Sequence, residues 1–167
     1  MTDGNGEAPA VVRPAVSAEF ERLRWVERES DKLMAQVGIG PFPDDDHDRL
    51  TGAAVVFAAG VPAVGFVSVL LIDDEAHIDQ LSVVPERGGH GIGRDLLDEA
   101  IRWARRQALS GVTLATFRDV PWNAPFYQRV GFEVVTDLPP GLDAVRSHER
   151  DSGLDAMGPR VAMRLAL

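Results

Sequence analysis

The sequence predicts an α/β (α+β) fold, built on a mostly antiparallel mixed sheet of six to seven strands with helices on both faces. Three apolar runs separated by short turns, ending near residues 58, 72 and 84, predict an antiparallel meander of strands. The segment 92–108 instead repeats its apolar residues every three or four positions, which indicates an amphipathic helix. Beyond it, short strand-like and helix-like segments alternate to the C-terminus, as expected for an α/β domain.

The N-terminal residues differ in composition from the rest of the chain. Residues 1–10 are rich in Gly, Asp, Asn, Glu and Pro and are predicted to be a disordered segment, so that residues 11–167 form a single domain. Ser17 is the predicted N-cap of the first helix, 18–37, and Gly38 is its predicted stop. The other predicted elements are strands at 11–13, 53–58, 64–72, 77–84, 111–117, 132–136 and 161–166, and helices at 92–108, 126–129 and 142–152.

Composition excludes several classes of protein. A net charge of −9 argues against nucleic-acid binding and against an anionic membrane surface, and favours cationic partners. No apolar run approaches the roughly 18 residues that a membrane-spanning helix needs, and the N-terminus does not resemble a secretory signal. The chain has 0 cysteines, which excludes disulfides, thiolate metal sites and a cysteine nucleophile. A cytoplasmic location is therefore expected.

A glycine-rich loop joins the strand that ends at Val84 to the second predicted helix. Four of the six residues from Gly88 to Gly93 are glycine, so the backbone can turn tightly and come close to a ligand. A loop that opens a helix also presents unpaired N–H groups and the positive end of the helix dipole. This combination predicts a cradle for a phosphate or pyrophosphate.

Two common phosphate-binding loops fit this segment poorly. A nucleotide-hydrolysing loop of the Walker type requires a Lys that is missing here. A dinucleotide-binding loop requires an acidic residue at the end of the next strand, where only Asp119 comes near, just beyond Phe117. The dinucleotide interpretation is a minor alternative.

The sequence around the loop resembles a known family. The order strand, Pro85, glycine loop ending Gly91-Ile92-Gly93, and Leu-Leu on an amphipathic helix resembles motif A of the GCN5-related N-acetyltransferases (GNAT). The segment Asn123–Phe132, Asn-Ala-Pro-Phe-Tyr-Gln-Arg-Val-Gly-Phe, resembles the second signature of that family, and residues 12–15 resemble its opening strand. The resemblance covers roughly residues 11–167, is most specific over 81–132 and is weakest over 22–51.

This resemblance implies acetyl-CoA as co-substrate and a sheet that splays beside the strand before the glycine loop. The backbone of that strand is then expected to pair with the pantetheine arm, with one N–H polarising the acetyl oxygen. Asn123 is expected either to contact the cofactor or to cap the following short helix. No metal is expected, because His47 and His148 have no partner at ligand-like spacing. The expected cofactor-binding residues are Leu81, Ser82, Val83, Arg87, Gly88, Gly89, His90, Gly91, Ile92, Gly93, Arg94, Asn123 and Phe126.

Tyr127 is the single tyrosine of the chain and occupies the position where the family carries its general acid. A phenol with a pKa of about 10 can protonate a departing thiolate with little mismatch. The alternative role is a core tyrosine that closes the short helix.

His77 and Asp79 are the candidates for the base. They alternate along one strand, so their side chains are expected on one face, where they can relay a proton from an amine. The alternative is an exposed histidine beside a cross-strand salt bridge. Glu27 and Glu29 of the first helix are lesser candidates.

Together these features predict an enzyme that transfers an acetyl group from acetyl-CoA to a primary amine of an unidentified small molecule or peptide. The alternatives are a non-catalytic module of the same fold that senses acyl-CoA, and an acyltransferase that uses a longer acyl-CoA. The resemblance also leaves a homodimer open, with the C-terminal strand as its interface.

Overall fold

A computed structural model describes residues 8–43 and 49–167, so most of the predicted disordered segment, residues 1–7, lies outside the described residues. The strands are β1 (Val12–Pro14), β2 (Val55–Ala59), β3 (Gly65–Ile72), β4 (Glu75–Val83), β5 (Gly111–Phe117), β6 (Glu133–Val135) and β7 (Arg160–Ala166). The helices are α1 (Phe20–Ala35), α2 (Ile92–Arg106), α3 (Ala124–Val130), α4 (Pro140–Asp151) and α5 (Leu154–Met157). Within the described part of the chain, no helix is long and apolar enough to cross a membrane.

The seven strands form one mixed sheet in the order β1-β2-β3-β4-β5-β7-β6. The β4–β5 pair is parallel and the other neighbours are antiparallel, which confirms the predicted fold class. Phe57 of β2 packs in the core cluster of α2, whereas its neighbour Val56 packs in the cluster of α1. Because successive strand residues point to opposite faces, α1 and α2 cover opposite sides of the sheet.

Helix α2 forms as predicted because its apolar residues make one stripe. The buried residues of this stripe are Ile92, Leu96, Leu97, Ala100, Ile101 and Ala104. Complete burial of a leucine stabilises a fold by roughly 1.5–3 kcal/mol, so the stripe holds the start of α2 firmly against the sheet. The glycine loop, which precedes α2, is thereby held near the C-terminal end of β4.

The start of α1 differs from the prediction. Ser17 is not an N-cap, because residues 17–19 form a 3₁₀ turn and the α-helix begins at Phe20. Glu19 instead accepts the Val16 N–H at 3.0 Å and pairs with Arg13 of β1 at 2.8 Å. Glu19 thus provides the side-chain contact of a capping box, because it reaches back to the backbone N–H of Val16, the N-cap residue of the turn.

The centre of the sheet is open. Strands β4 and β5 pair at Ala76–Val112 and His77–Thr113 only, although β4 continues to Val83 and β5 to Phe117. We call the space between residues 78–83 of β4 and 114–117 of β5 the β4–β5 gap. This gap is the splay that the family resemblance implied.

A β-bulge in β4 marks the place where the two strands separate. Ser68 of β3 pairs with Gln80, but the next residue, Val69, pairs with Ile78, so Asp79 is the extra residue of the bulge. Bulges bend a strand and increase its local twist. Here the bend begins two residues after the last β4–β5 pair and turns β4 away from β5.

Candidate active site

The glycine loop leaves open space in front of the first turn of α2. Gly89 and Gly91 have φ of +75° and +81°, and a Cβ added to either would meet no heavy atom within 4 Å. The first N–H bonded inside the helix is that of Asp95, at 3.0 Å from the Gly91 carbonyl oxygen. Gly91, the N-cap residue of α2, has no side chain that could bond the N–H groups before it. These groups are therefore available to an anionic ligand.

Cationic and polar side chains flank this loop. Arg87 donates to the Ala8 carbonyl oxygen at 3.2 Å, and His90 is exposed. Arg94 pairs with Asp98 one turn further along α2, with 2.9 Å between Nε and Oδ1. A groove of about 240 Å³ continues from Arg94, with a mostly basic rim and an apolar floor; it is lined by Arg94, Asp98, Ile101, Arg102, Arg105, Val130 and Leu165.

The predicted pantetheine-binding strand residues line the β4–β5 gap. Leu81, Ser82 and Val83 pair with β3 through one edge of β4, and the other edge of this segment has no strand neighbour. The side chains of Leu81 and Val83 pack against the core under α2, and Ser82 is buried. Their backbone therefore offers a strand edge to an extended ligand while their side chains stabilise the core.

Asn123 connects three elements at the far side of the gap. Its Oδ1 accepts a hydrogen bond from Thr116 Oγ1 of β5 at 2.7 Å, and its Nδ2 lies 3.7 Å from Met34 Sδ of α1. The expectation that the Asn123 side chain caps α3 is wrong. Asn123 is the N-cap residue of α3, but its side chain makes no hydrogen bond to the N–H groups at the start of that helix. The cause is Thr116, a donor from a neighbouring strand that local sequence does not reveal.

Tyr127 lies in the aromatic part of the core. It makes edge-to-face contacts with Phe126 and Phe132, with ring centroids 5.1 and 5.7 Å away, and it is 8% exposed. Burial raises its pKa, so the phenol stays protonated at neutral pH.

His77 is buried rather than exposed, so the alternative of a surface histidine is wrong. It is 3% exposed, and its Nδ1 lies 2.9 Å from Thr113 Oγ1 of β5. Burial lowers its pKa to about 4, whereas the charge of Asp73 acts in the opposite direction. The imidazole is therefore neutral at physiological pH, and its hydrogen bond goes to Thr113 and not to Asp79.

Asp79 lies on the side of the sheet that α1 covers, as does His77. Arg49, in the segment before β2, connects it to the helix: Arg49 Nε lies 3.6 Å from Asp79 Oδ2, and Arg49 Nη2 lies 3.0 Å from Glu27 Oε1. The expected salt bridge of Asp79 is thus made to a loop residue rather than across the sheet. Residues 27, 49 and 79 are far apart in the sequence, so the sequence alone did not indicate that Arg49 belongs to the site.

Asp31 is a second residue that sequence analysis missed. Burial and the charge of Glu27 raise its pKa to about 6, and Arg49 opposes this shift. The spacing of Glu27 and Asp31, four residues apart on one helix side, is a signal that the sequence does contain. Within residues 8–43 and 49–167, no group of three His, Asp or Glu side chains is placed to hold a metal ion.

A splayed parallel strand pair beside a glycine-opened helix is the arrangement of the acyl-CoA N-acyltransferase fold. Residues 17–132 match the Acetyltransferase (GNAT) family, and the chain belongs to that family. This finding overturns the dinucleotide alternative for the glycine loop.

Solved structures show the same fold. An acetyltransferase of the GNAT family from Staphylococcus aureus Mu50 is 16% identical, with a TM-score of 0.69 over 95% of this chain and 99% of that one. The PaiA N-acetyltransferase of Thermoplasma acidophilum, solved with coenzyme A, is 18% identical with a TM-score of 0.66, covering 95% and 99%. The ribosomal-protein-S18-alanine N-acetyltransferase of Escherichia coli is 16% identical with a TM-score of 0.62, covering 94% and 93%.

Proposed function

We propose that this protein transfers an acetyl group from acetyl-CoA to a primary amine of a small molecule or peptide. The observation that carries the proposal is the β4–β5 gap, which opens beside the uncapped start of α2. The gap offers a strand edge for an extended amide-containing arm, and the helix start offers N–H groups for a pyrophosphate. Relatives that were solved with coenzyme A support the same donor.

We infer which residues would hold this donor along its length. The N–H groups of Ile92, Gly93 and Arg94 would bind the pyrophosphate, with Gly88, Gly89 and His90 around them. Arg87 and Arg94 would add positive charge, and the groove beyond Arg94 suits an anionic nucleotide end. Leu81, Ser82 and Val83 would pair with the pantetheine arm, and Phe126 and Asn123 would contact it from the opposite side.

The transfer forms one C–N bond and breaks one C–S bond. A neutral amine attacks the thioester carbonyl, whose oxygen a backbone N–H of β4 would stabilise as negative charge develops. The thiolate then leaves and takes a proton from Tyr127. The nitrogen, which still carries an excess proton, returns one to the phenolate, so Tyr127 is restored. Burial keeps this phenol protonated but makes it a weaker acid, so the sulfur must be close when its charge develops.

The amine must lose a proton before it attacks. His77 is neutral and in that sense available, but its pKa of about 4 makes it a weak base, and Thr113 holds it in the core. Asp79 lies on the same side of the sheet as His77, and its charged contact is with Arg49 rather than with a core residue. The geometry therefore favours a carboxylate over His77 in the proton relay, with His77 holding β4 to β5.

Calorimetric titration with acetyl-CoA and with CoA tests donor binding. We expect micromolar affinity in the wild type and its loss in Gly91→Glu, which places a negative side chain in the loop. Gly153→Glu is the matched control, because Gly153 also has a left-handed φ, of +86°, and open space, but lies between α4 and α5. Absence of binding by the folded wild type would refute the proposal.

Turnover is then measured as free thiol released with spermidine, tryptamine, L-lysine ethyl ester and a short peptide as acceptors. Donor binding without thiol release from any amine would favour an acyl-CoA-sensing module instead. Faster release from a longer acyl-CoA than from acetyl-CoA would favour an acyltransferase that uses a longer acyl donor.

A cytoplasmic location and a homodimer stay predictions. Light scattering of the purified protein tests whether it is a homodimer.

A further inference from the structure

Helix α1 is connected through one intermediate side chain to each of the two strands that border the β4–β5 gap. Toward β4, Glu27 pairs with Arg49, and Arg49 reaches Asp79 at the bulge. Toward β5, the sulfur of Met34 meets the Asn123 amide, which is bonded to Thr116. The helix therefore lies across the α1-side entrance of the gap.

Asp31 lies between these two contacts. It follows Glu27 by four residues and precedes Met34 by three, and residues at these spacings share one side of a helix. The charges of Glu27 and Arg49 both act on the Asp31 carboxyl, so Asp31 lies on the side of α1 near Arg49. Asp31 is thus placed beside the α1-side entrance of the gap.

The Asp31 carboxyl differs from the other carboxyls around this entrance. Glu27 and Asp79 both pair with Arg49, whereas at Asp31 the effect of burial outweighs the charge of Arg49. Asp31 is half-buried. A half-buried carboxylate is incompletely solvated, so it binds a proton more readily than one in water.

We propose that Asp31 is the general base, which takes the proton from the acceptor ammonium at the α1-side entrance of the β4–β5 gap. This inference rests on the proposed acetyl transfer. In the step, the N–H bond of the ammonium breaks, an O–H bond forms on Asp31, and the amine keeps the electron pair with which it attacks the thioester. Asp31 later releases that proton to solvent, which is the one proton that the overall reaction sets free.

The charged groups around Asp31 support this role. Glu27 faces it from its own helix, Arg49 from the segment before β2, and Asp79 lies beyond Arg49 on β4. Three carboxylates and one guanidinium favour entry of an acceptor as its ammonium form. With a pKa of about 6, Asp31 is mostly ionised at pH 7 yet more basic than an ordinary aspartate.

The first test compares Asp31→Asn with Glu21→Gln, an exposed acid in the first turn of the same helix. We expect Asp31→Asn to lower kcat/KM by at least about 100-fold, the range for loss of a general base, with acetyl-CoA affinity unchanged. Glu21→Gln is expected to behave as wild type. A kcat/KM of Asp31→Asn within about threefold of wild type, for an amine that the wild type acetylates, overturns the inference.

The second test follows the acid limb of the kcat/KM profile. We expect this limb near pH 6 in the wild type, at lower pH in Glu27→Gln and at higher pH in Arg49→Gln, because the two neighbours act oppositely on Asp31. A merely structural role for Asp31 would not move the limb in opposite directions. Identical limbs in all three proteins overturn the inference.

Carboxyl ¹³C NMR separates failure of this inference from failure of the proposed function. The Asp31 resonance, assigned by its loss in Asp31→Asn, is titrated in the wild type with bound CoA. Titration at the ordinary aspartate value of about 3.9 overturns the role of Asp31 even when no amine is acetylated. Titration near pH 6 together with amine turnover that Asp31→Asn abolishes supports it.

Discussion

The buried imidazole of His77 should make the protein lose stability on mild acidification. Its pKa is about 4 in the folded protein, against 6.5 in an unfolded chain. Between these values the unfolded chain binds a proton that the folded protein does not, so unfolding becomes easier as pH falls. Above pH 6.5 both states are neutral at this residue and its contribution is fully present.

The size of the effect follows from the shift. Each unit of pKa difference corresponds to about 1.4 kcal/mol, so the loss between pH 6.5 and 4 is about 3 kcal/mol. Ionised carboxylates also destabilise the fold when protonated, but those with lowered pKa, such as Glu19 and Glu75, titrate below their ordinary value of 4.5. The window from pH 6.5 to 5 therefore reports mainly on His77 and on groups with a raised pKa.

The assay is urea unfolding at half-unit steps from pH 7.5 to 5.0, for the wild type and His77→Gln. Glutamine can still meet Thr113 but does not titrate, so the difference between the two curves isolates the imidazole. We expect this difference to change by about 1 to 2 kcal/mol across the window, with the wild type losing stability faster. Parallel curves for the two proteins would refute the reasoning about desolvation of His77.

Two further predictions concern other parts of the site and fold. Tyr127→Phe should lower kcat by about 100-fold or more while acetyl-CoA affinity stays within about threefold, which steady-state kinetics and calorimetry measure; unchanged kcat would exclude Tyr127 as the acid. Asp73→Ala should destabilise the fold by about 1 kcal/mol in urea unfolding, because Asp73 Oδ1 accepts the Gly141 N–H at 2.7 Å at the start of α4. Asp74→Ala is the control, because Asp74 has the same left-handed backbone conformation as Asp73. An equal loss of stability in both variants would attribute the effect to the backbone conformation rather than to the hydrogen bond.

The elements that the sequence predicts well are those whose signals are local. Helix α2 and its glycine loop follow from an apolar stripe and from glycines that are neighbours in the chain, and the structure places the helix start at Ile92 as predicted. The strands of the meander follow from alternating apolar runs bounded by turns. Helix α5, four residues long, carries too short a pattern to be seen and was not predicted.

The candidate site was harder to predict because its contacts join distant segments. The bulge at Asp79 depends on the pairing register of β3 and β4, and register is not a local property of either strand. Burial of His77 depends on Thr113, which β5 brings beside it from 36 residues away. Arg49 was not predicted as a site residue because its partners, in α1 and β4, are also far from it in the sequence.

The two-pair junction between β4 and β5 has a consequence for the protein without its donor. Backbone N–H groups of β4 beyond His77 that face the gap lack the strand neighbour that would slow their exchange with solvent deuterium. A pantetheine arm hydrogen-bonded to that edge would take the place of a neighbouring strand and would slow the exchange of these N–H groups. Donor concentration would then set the stability of the middle of the sheet, since a ligand that binds only the folded state stabilises it in proportion to the logarithm of its concentration. The protein would be most resistant to heat and proteolysis when the proposed acetyl donor is abundant, and hydrogen exchange in residues 78–83 would report the donor concentration.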